Sequence, residues 1–215
     1  MRTAVRSPLS ERGRAATFQA PVTNASGDRS PRSAVRAGAA QVNQLEADGD
    51  VSGLIDALQS DVGHGKYGQI RSWAARAVGN LGDPRAVPDL IELLNDHSEV
   101  VRNSAARALG RIGDHRAEPA LEAALRDTSE AVRASAANAL GALGSAESVG
   151  ALSTAAASDP ATFVRINALE ALDVLGLDAA SDMAAAELHR LAWWQRAERK
   201  RLQALLAART GERPA

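Results

Sequence analysis

Arginines and aspartates recur in this chain at spacings that could do chemistry. Arg71, Arg102, Arg133 and Arg165 are separated by 31, 31 and 32 residues. Asp96 precedes Arg102 by six residues, and Asp127–Arg133 and Asp159–Arg165 share that spacing. A guanidinium is a planar fork that pairs bidentately with a carboxylate. Each arginine can therefore reach the loop carboxylate of its own repeat or of a neighbouring one. Arg71 has no acid six residues before it, so its partner is open. An anion-binding stripe is the functional alternative. The structural reading is favoured because these arginines recur wherever the surrounding sequence does.

Other chemistries have fewer residues to work with. Cysteine is absent, which excludes disulfides, thiolate metal sites and a cysteine nucleophile. The four histidines are followed by Gly65, Ser98, Arg116 and Arg190. His97 and His115 fall between periodic segments and read as solvated loop residues. There is no glycine-rich phosphate loop, and the scattered Ser, His and Asp residues form no convincing triad. The expectation is a non-enzymatic chain with no catalytic, cofactor or metal residues.

The charge is segregated. Residues 1–38 hold seven arginines against Glu11 and Asp28. Residues 39–186 hold 11 basic and 21 acidic side chains, a balance of −10. Residues 187–215 hold seven basic and three acidic ones. An acidic body binds phosphate backbones poorly, because such binding draws on Lys and Arg, so no specific nucleic-acid partner is expected. No apolar run approaches the roughly 20 residues that span a bilayer.

The elements that position the arginines are repeats. Residues 70–82, 101–113, 132–144 and 164–176 align as IRSWAARAVGNLG, VRNSAARALGRIG, VRASAANALGALG and VRINALEALDVLG. Val101, Ala105, Leu109 and Ile112 fall on one stripe of a helix. Gly82, Gly113, Gly144 and Gly176 suit left-handed helix stops. Gly79, Gly110 and Gly141 cost helix propensity, and their recurrence implies a neighbour too close for a Cβ. Asp173 replaces glycine in the last copy, which predicts different packing there. A second helix is predicted after each, over residues 86–96, 117–127 and 148–158. Pro88 and Pro119 fall in first turns, where a missing N–H is harmless. In the third, Gly150 replaces proline and the apolar stripe thins, which predicts the weakest helix of the stack.

The pattern V-R-x-x-A-A-x-A-L-G-x-L-G, followed by D-x-R-A-x-P-x-L, resembles the HEAT-like repeat of the phycobilisome-lyase type over about residues 50–178. The resemblance implies an all-α fold, a right-handed α-solenoid of stacked helical hairpins curved into a rod. Second helices would line the concave, customary binding side. It also implies a choice of functions. Some relatives attach bilins to phycobiliproteins, and many are adaptors. Some hydroxylate a modified lysine with iron held by His-Glu pairs, and no such pair occurs here.

The expected organisation is a disordered basic arm over residues 1–36 and a partial capping repeat over 37–66. HEAT-like repeats follow over 67–178, a single closing helix over 179–210 and a disordered tail over 211–215. The closing segment carries Trp193-Trp194 and Arg196, Arg199, Lys200 and Arg201. It reads as a cap, with a membrane-surface or partner helix as the alternative. The leading function is a cytoplasmic scaffold or adaptor that binds a protein partner through its concave face. An organelle transit role for the Arg- and Ser-rich arm is the alternative location. The candidate partner-binding residues are Arg85, Asp89, Glu92, Arg116, Glu122 and Arg126, which lie on or beside the second helices. The alternative functions are a bilin lyase or chromophore chaperone, and nucleic-acid binding through the basic termini.

Overall fold

The computed structural model describes residues 31–60, 68–176, 179–191 and 195–210. Among them are the α-helices α1 (Pro31–Asp48), α2 (Val51–Leu58), α3 (Gln69–Leu81), α4 (Val87–Leu93), α5 (Glu99–Ile112) and α6 (Glu118–Ala124). They continue as α7 (Glu130–Leu143), α8 (Val149–Ser158), α9 (Thr162–Val174), α10 (Ala179–Arg190) and α11 (Arg196–Thr210). Single 3-10 turns at Pro84–Ala86 and His115–Ala117 lead into α4 and α6. The result is a two-layer α-solenoid, with long helices in one layer and short helices in the other.

The core is a set of repeated columns. Val78, Leu109, Leu140 and Leu172 face inward from the long helices, and Leu90, Leu121 and Leu152 meet them from the short ones. Gly82, Gly113 and Gly144 end the long helices with φ of 70°, 72° and 75°, which costs a residue without Cβ little.

The pairing of helices differs from the order expected. Each long helix packs against the short helix before it: α2 with α3, α4 with α5, α6 with α7, α8 with α9. The turn from a long helix into the next short one joins elements that hardly touch. Sequence periodicity cannot settle this, because a repeat can be divided at either loop.

The long helices also pack tightly on one another, in the series α3, α5, α7, α9, whereas α4 and α6 scarcely meet. The glycines explain the closeness. A Cβ placed on Gly79 would stand 2.8 Å from the Cα of Ala108, and one on Gly110 equally close to the Cα of Ala139. Gly141 meets Ala171 in the same way, at 2.9 Å. A stack with one layer spaced more closely than the other bends toward the closer layer. The long helices therefore form the inner side. α9, with Asp173 at the glycine position, packs instead on α10 and α11.

Three segments depart from expectation. Residues 31–36, expected in the arm, belong to α1, whose Val42 and Leu45 are buried and whose Gly38 lies against Ile70. Residues 1–30 and 211–215 lie outside the described residues. The closing segment is two helices rather than one. Arg199 of α11 donates to the carbonyls of Leu188 and Leu191 at 3.2 and 3.1 Å, satisfying the end of α10. α8 runs for 10 residues against 7 for α4 and α6, so it is not the shortest of its layer despite its thin stripe.

The glycine contacts give a test with opposite signs. Alanine normally gains about 1 kcal/mol over glycine inside a helix. Gly110→Ala has to push apart backbone at Ala139, and overpacking costs about 1–3 kcal/mol. Gly150 has nothing within 4 Å of its Cβ position. Urea unfolding should show Gly150→Ala stabilised by roughly 0.5–1 kcal/mol and Gly110→Ala destabilised or unimproved. Equal stabilisation of both would contradict the close approach.

Candidate functional site

The arginine ladder lies along the edge where short helices turn into long ones. Arg102 donates through Nε and Nη2 to both carboxylate oxygens of Asp127, at 2.7 and 2.8 Å, and through Nη1 to the carbonyl of Asp96 at 2.8 Å. Arg133 repeats this with Asp159 at 2.7 and 3.0 Å and the carbonyl of Asp127 at 2.9 Å. Arg71, whose partner the sequence left open, reaches Asp96 at 2.8 Å and the carbonyl of Ser60 at 3.0 Å. Arg165 takes the carbonyl of Asp159 and ends the ladder on Glu187 of α10. Each arginine thus binds its own loop by a carbonyl, and Arg71, Arg102 and Arg133 bind the next loop by a carboxylate.

The aspartates work twice. Oδ1 of Asp96, Asp127 and Asp159 accepts the N–H of Ser98, Ser129 and Ala161, each at 2.8 Å, just ahead of a long helix. Burial pushes the Asp127 carboxyl up. Hydrogen bonds from Arg102 and the Ser129 N–H, with the Arg102 charge, outweigh that and leave it below the ordinary aspartate value. The ladder is saturated by the chain itself, so it offers no anion-binding stripe.

The six candidate residues of the short-helix layer do not converge. Arg85 forks onto Asp83 at 2.8 Å and Arg116 onto Asp114 at 2.6 Å, each bracing its own turn. The Arg116 hydrogen bonds hold the Asp114 carboxyl down to about 2. Asp89 accepts from Gln59 at 2.9 Å and, with Glu92, lines a groove of about 270 Å³. Glu122 and Arg126 line a separate groove of about 370 Å³. All six stand on the wider layer, away from the inner one.

The inner layer holds what the sequence reading passed over. A groove of about 500 Å³ crosses α5, α7 and α9, lined by Asn103, Arg107, Arg111, Ser135, Asn138 and Phe163. Arg107 and Arg111 also line a second hollow of about 200 Å³ that reaches Trp73 and Arg76. Phe163 is 46% exposed, with Arg201 5.5 Å over its ring. The available signal was divergence inside otherwise matching helices, since Arg76, Arg107, Asn138 and Glu170 occupy one repeat position. Trp193 and Trp194 lie outside the described residues, as does His64. Among the described residues, no group of three or more His, Asp or Glu could hold a metal ion. No helix there is long and apolar enough to cross a membrane.

The description "HEAT repeats" fits residues 25–109, 51–127, 101–173 and 117–208, by a family model that matches each stretch. No curated protein matches the sequence. Among solved structures, the chain is similar to the complex of CpcE and CpcF of phycocyanin lyase from Nostoc sp. PCC7120. That match is 23% identical with a TM-score of 0.59, over 87% of this chain and 76% of that one. It is also similar to a designed armadillo repeat protein in complex with the peptide (KR)4. There the identity is 21% and the TM-score 0.55, over 82% of this chain and 92% of that one. At these identities the likenesses show the fold.

The ladder predicts how the fold responds to acid. A lowered folded-state pKa gives Asp127 a stabilising contribution at pH values above the ordinary aspartate range. That contribution is lost as pH falls through the lowered pKa. Asp127→Asn should unfold at lower urea at pH 7 and lose less stability than the unmodified chain between about pH 5 and pH 2. Arg102→Met should cost about 3 kcal/mol by leaving Asp127 buried and unpaired. Unchanged urea midpoints in both variants would contradict the ladder.

Proposed function

This chain belongs to the HEAT-repeat family, and from that premise we propose that it is a non-enzymatic scaffold that binds a protein partner on its concave face. That face is the long-helix layer. The observation that carries the reading is a pair of open hollows that share Arg107 and Arg111 and together line this layer from Trp73 to Phe163. Along it Arg76 and Arg107 are exposed and, among the described residues, make no ion pair. A groove that runs across several repeats suits an extended occupant, because modest contacts from successive helices add without a deep pocket. The short-helix residues Arg85 and Arg116 already brace their own turns, which leaves them less to offer a partner.

A second reading is a bilin lyase or lyase-like chromophore chaperone. The similarity to the CpcE and CpcF complex supports it. Bilin-dependent colour on co-expression with a phycobiliprotein is its test.

Capture from native lysate tests the face. Ser135→Trp with Asn138→Trp fills the inner groove without touching the ladder. Asp89→Lys, Glu92→Lys and Arg116→Glu together reverse charge on the outer layer. The groove-filled variant should lose the partners that the unmodified chain captures, and the outer triple should keep them. Loss in the outer triple alone would move the site to the short-helix layer.

A further inference from the structure

Building on the inner-face reading, we propose that the groove over α3, α5 and α7 binds an acidic, extended segment of the partner, with carboxylates meeting Arg76, Arg107 and Arg111. Three observations converge on this chemistry.

The first is charge. The long helices α3, α5, α7 and α9 carry seven arginines. Four form the ladder, each tied to a carboxylate. The other three share the inner face. Among the described residues, Arg111 donates to the amide oxygen of Asn80, at 2.8 Å, and no carboxylate meets Arg76 or Arg107. Asn80, beside Arg111, also donates to Glu46 of α1 at 2.7 Å. Glu170, at the far end, is engaged by Arg201 at 2.8 Å. Within repeats whose overall balance is strongly acidic, this face thus carries a local positive strip.

The second is register. Arg76 and Arg107 hold the same position on adjacent long helices, so one interhelical step separates them. Packed helices lie about 8–10 Å apart. A polyproline-type strand has three residues per turn and advances about 3.1 Å per residue, so every third side chain shares a face. Three residues therefore span one step, and acidic side chains at every third position would meet successive arginines. Asn138 holds the same position one helix further on and is exposed. Its carboxamide can both donate to and accept from the backbone of such a strand. Trp73 flanks Arg76 and gives the strand an apolar surface beside the charge.

The third is extent, and it favours a peptide over a nucleic acid. Duplex DNA carries a charge about every 1.7 Å and would run beyond three arginines onto a body with a balance of −10 over residues 39–186. A segment with a few spaced carboxylates ends where the positive strip ends.

The test uses the full chain and a short fluorescein-labelled peptide with glutamate at every third position between serine and glycine. Its counterparts carry lysine or glutamine at those positions, and a short DNA duplex serves as competitor. Fluorescence anisotropy should show the glutamate peptide binding at least about tenfold more tightly than either counterpart and weakening as salt rises. Arg76→Glu with Arg107→Glu should weaken it by about tenfold or more with helicity and melting nearly unchanged. Arg126→Glu, on the other layer, should leave it alone. Binding no tighter than that of the glutamine peptide, or binding indifferent to the Arg76 and Arg107 reversal, would overturn the proposal. So would a duplex that binds more tightly than the peptide. If the peptide fails while filling the groove at Ser135 and Asn138 still abolishes capture, only the acidic partner is wrong and the inner-face reading stands.

Discussion

The closeness of the long helices governs the rest of this structure. Backbone nearly meets backbone where Gly79 faces Ala108, Gly110 faces Ala139 and Gly141 faces Ala171. Glycine is a poor helix residue, so its recurrence there has a structural reason. Only a residue without a Cβ lets the next helix settle at that distance. The composition follows the same logic. Aromatics make up 3% of the chain, and the core is built from Ala, Val, Leu and Ile. In the short-helix layer Gly150 has open space at its Cβ position, and α4 and α6 scarcely meet. Unequal spacing then decides which layer is inner and which side chains share a continuous face.

The ladder converts that spacing into a fixed register. In a repeat array, stability comes from each unit and from its interface with the next. Arg102 belongs to both terms, holding the Asp96 carbonyl of its own loop and the Asp127 carboxylate of the next. Because these groups are largely buried and fully hydrogen-bonded, the pairs specify geometry as well as contributing energy. Sliding one repeat along the next would leave a carboxylate without its fork. The same lock keeps Arg76, Arg107 and Asn138 in one row, so the structural arginines position the free ones. At the C-terminal end, Glu187 takes the aspartate's role from a non-repeat helix, and α10 and α11 cover the last repeat.

Much of this was legible in the residues. The matching segments, the glycines that stop each long helix and the internal glycines all pointed to stacked hairpins with close contacts. The division into hairpins was not legible, since periodicity is unchanged by cutting the repeat at the other loop. With the hairpin divided at that loop, the candidate binding residues fall on the short-helix layer. The Arg71 partner was hidden because a local six-residue rule does not describe a ladder that reaches 25 residues ahead to Asp96. Glu187 lies outside the repeats and gave no periodic signal. Arg76 and Arg107 were obscured by the good match of their helices. They are the positions where those helices differ from later copies, and they gain meaning only once neighbouring helices are placed side by side.

The central claim is that the long-helix layer is the inner one, and distances within the two layers test it directly. The chain has no cysteine, so pairs of introduced cysteines can carry spin labels without background. Arg76→Cys with Asn138→Cys marks two repeats along the long-helix layer. Glu92→Cys with Thr154→Cys spans the same number of repeats, two helix steps, along the short-helix layer. Pulsed dipolar spectroscopy should give about 20 Å for the first pair, two helix steps, and a clearly longer distance for the second. Equal distances, or a shorter one across the short helices, would place the concave face on the other layer and remove the basis for a groove at Arg76 and Arg107.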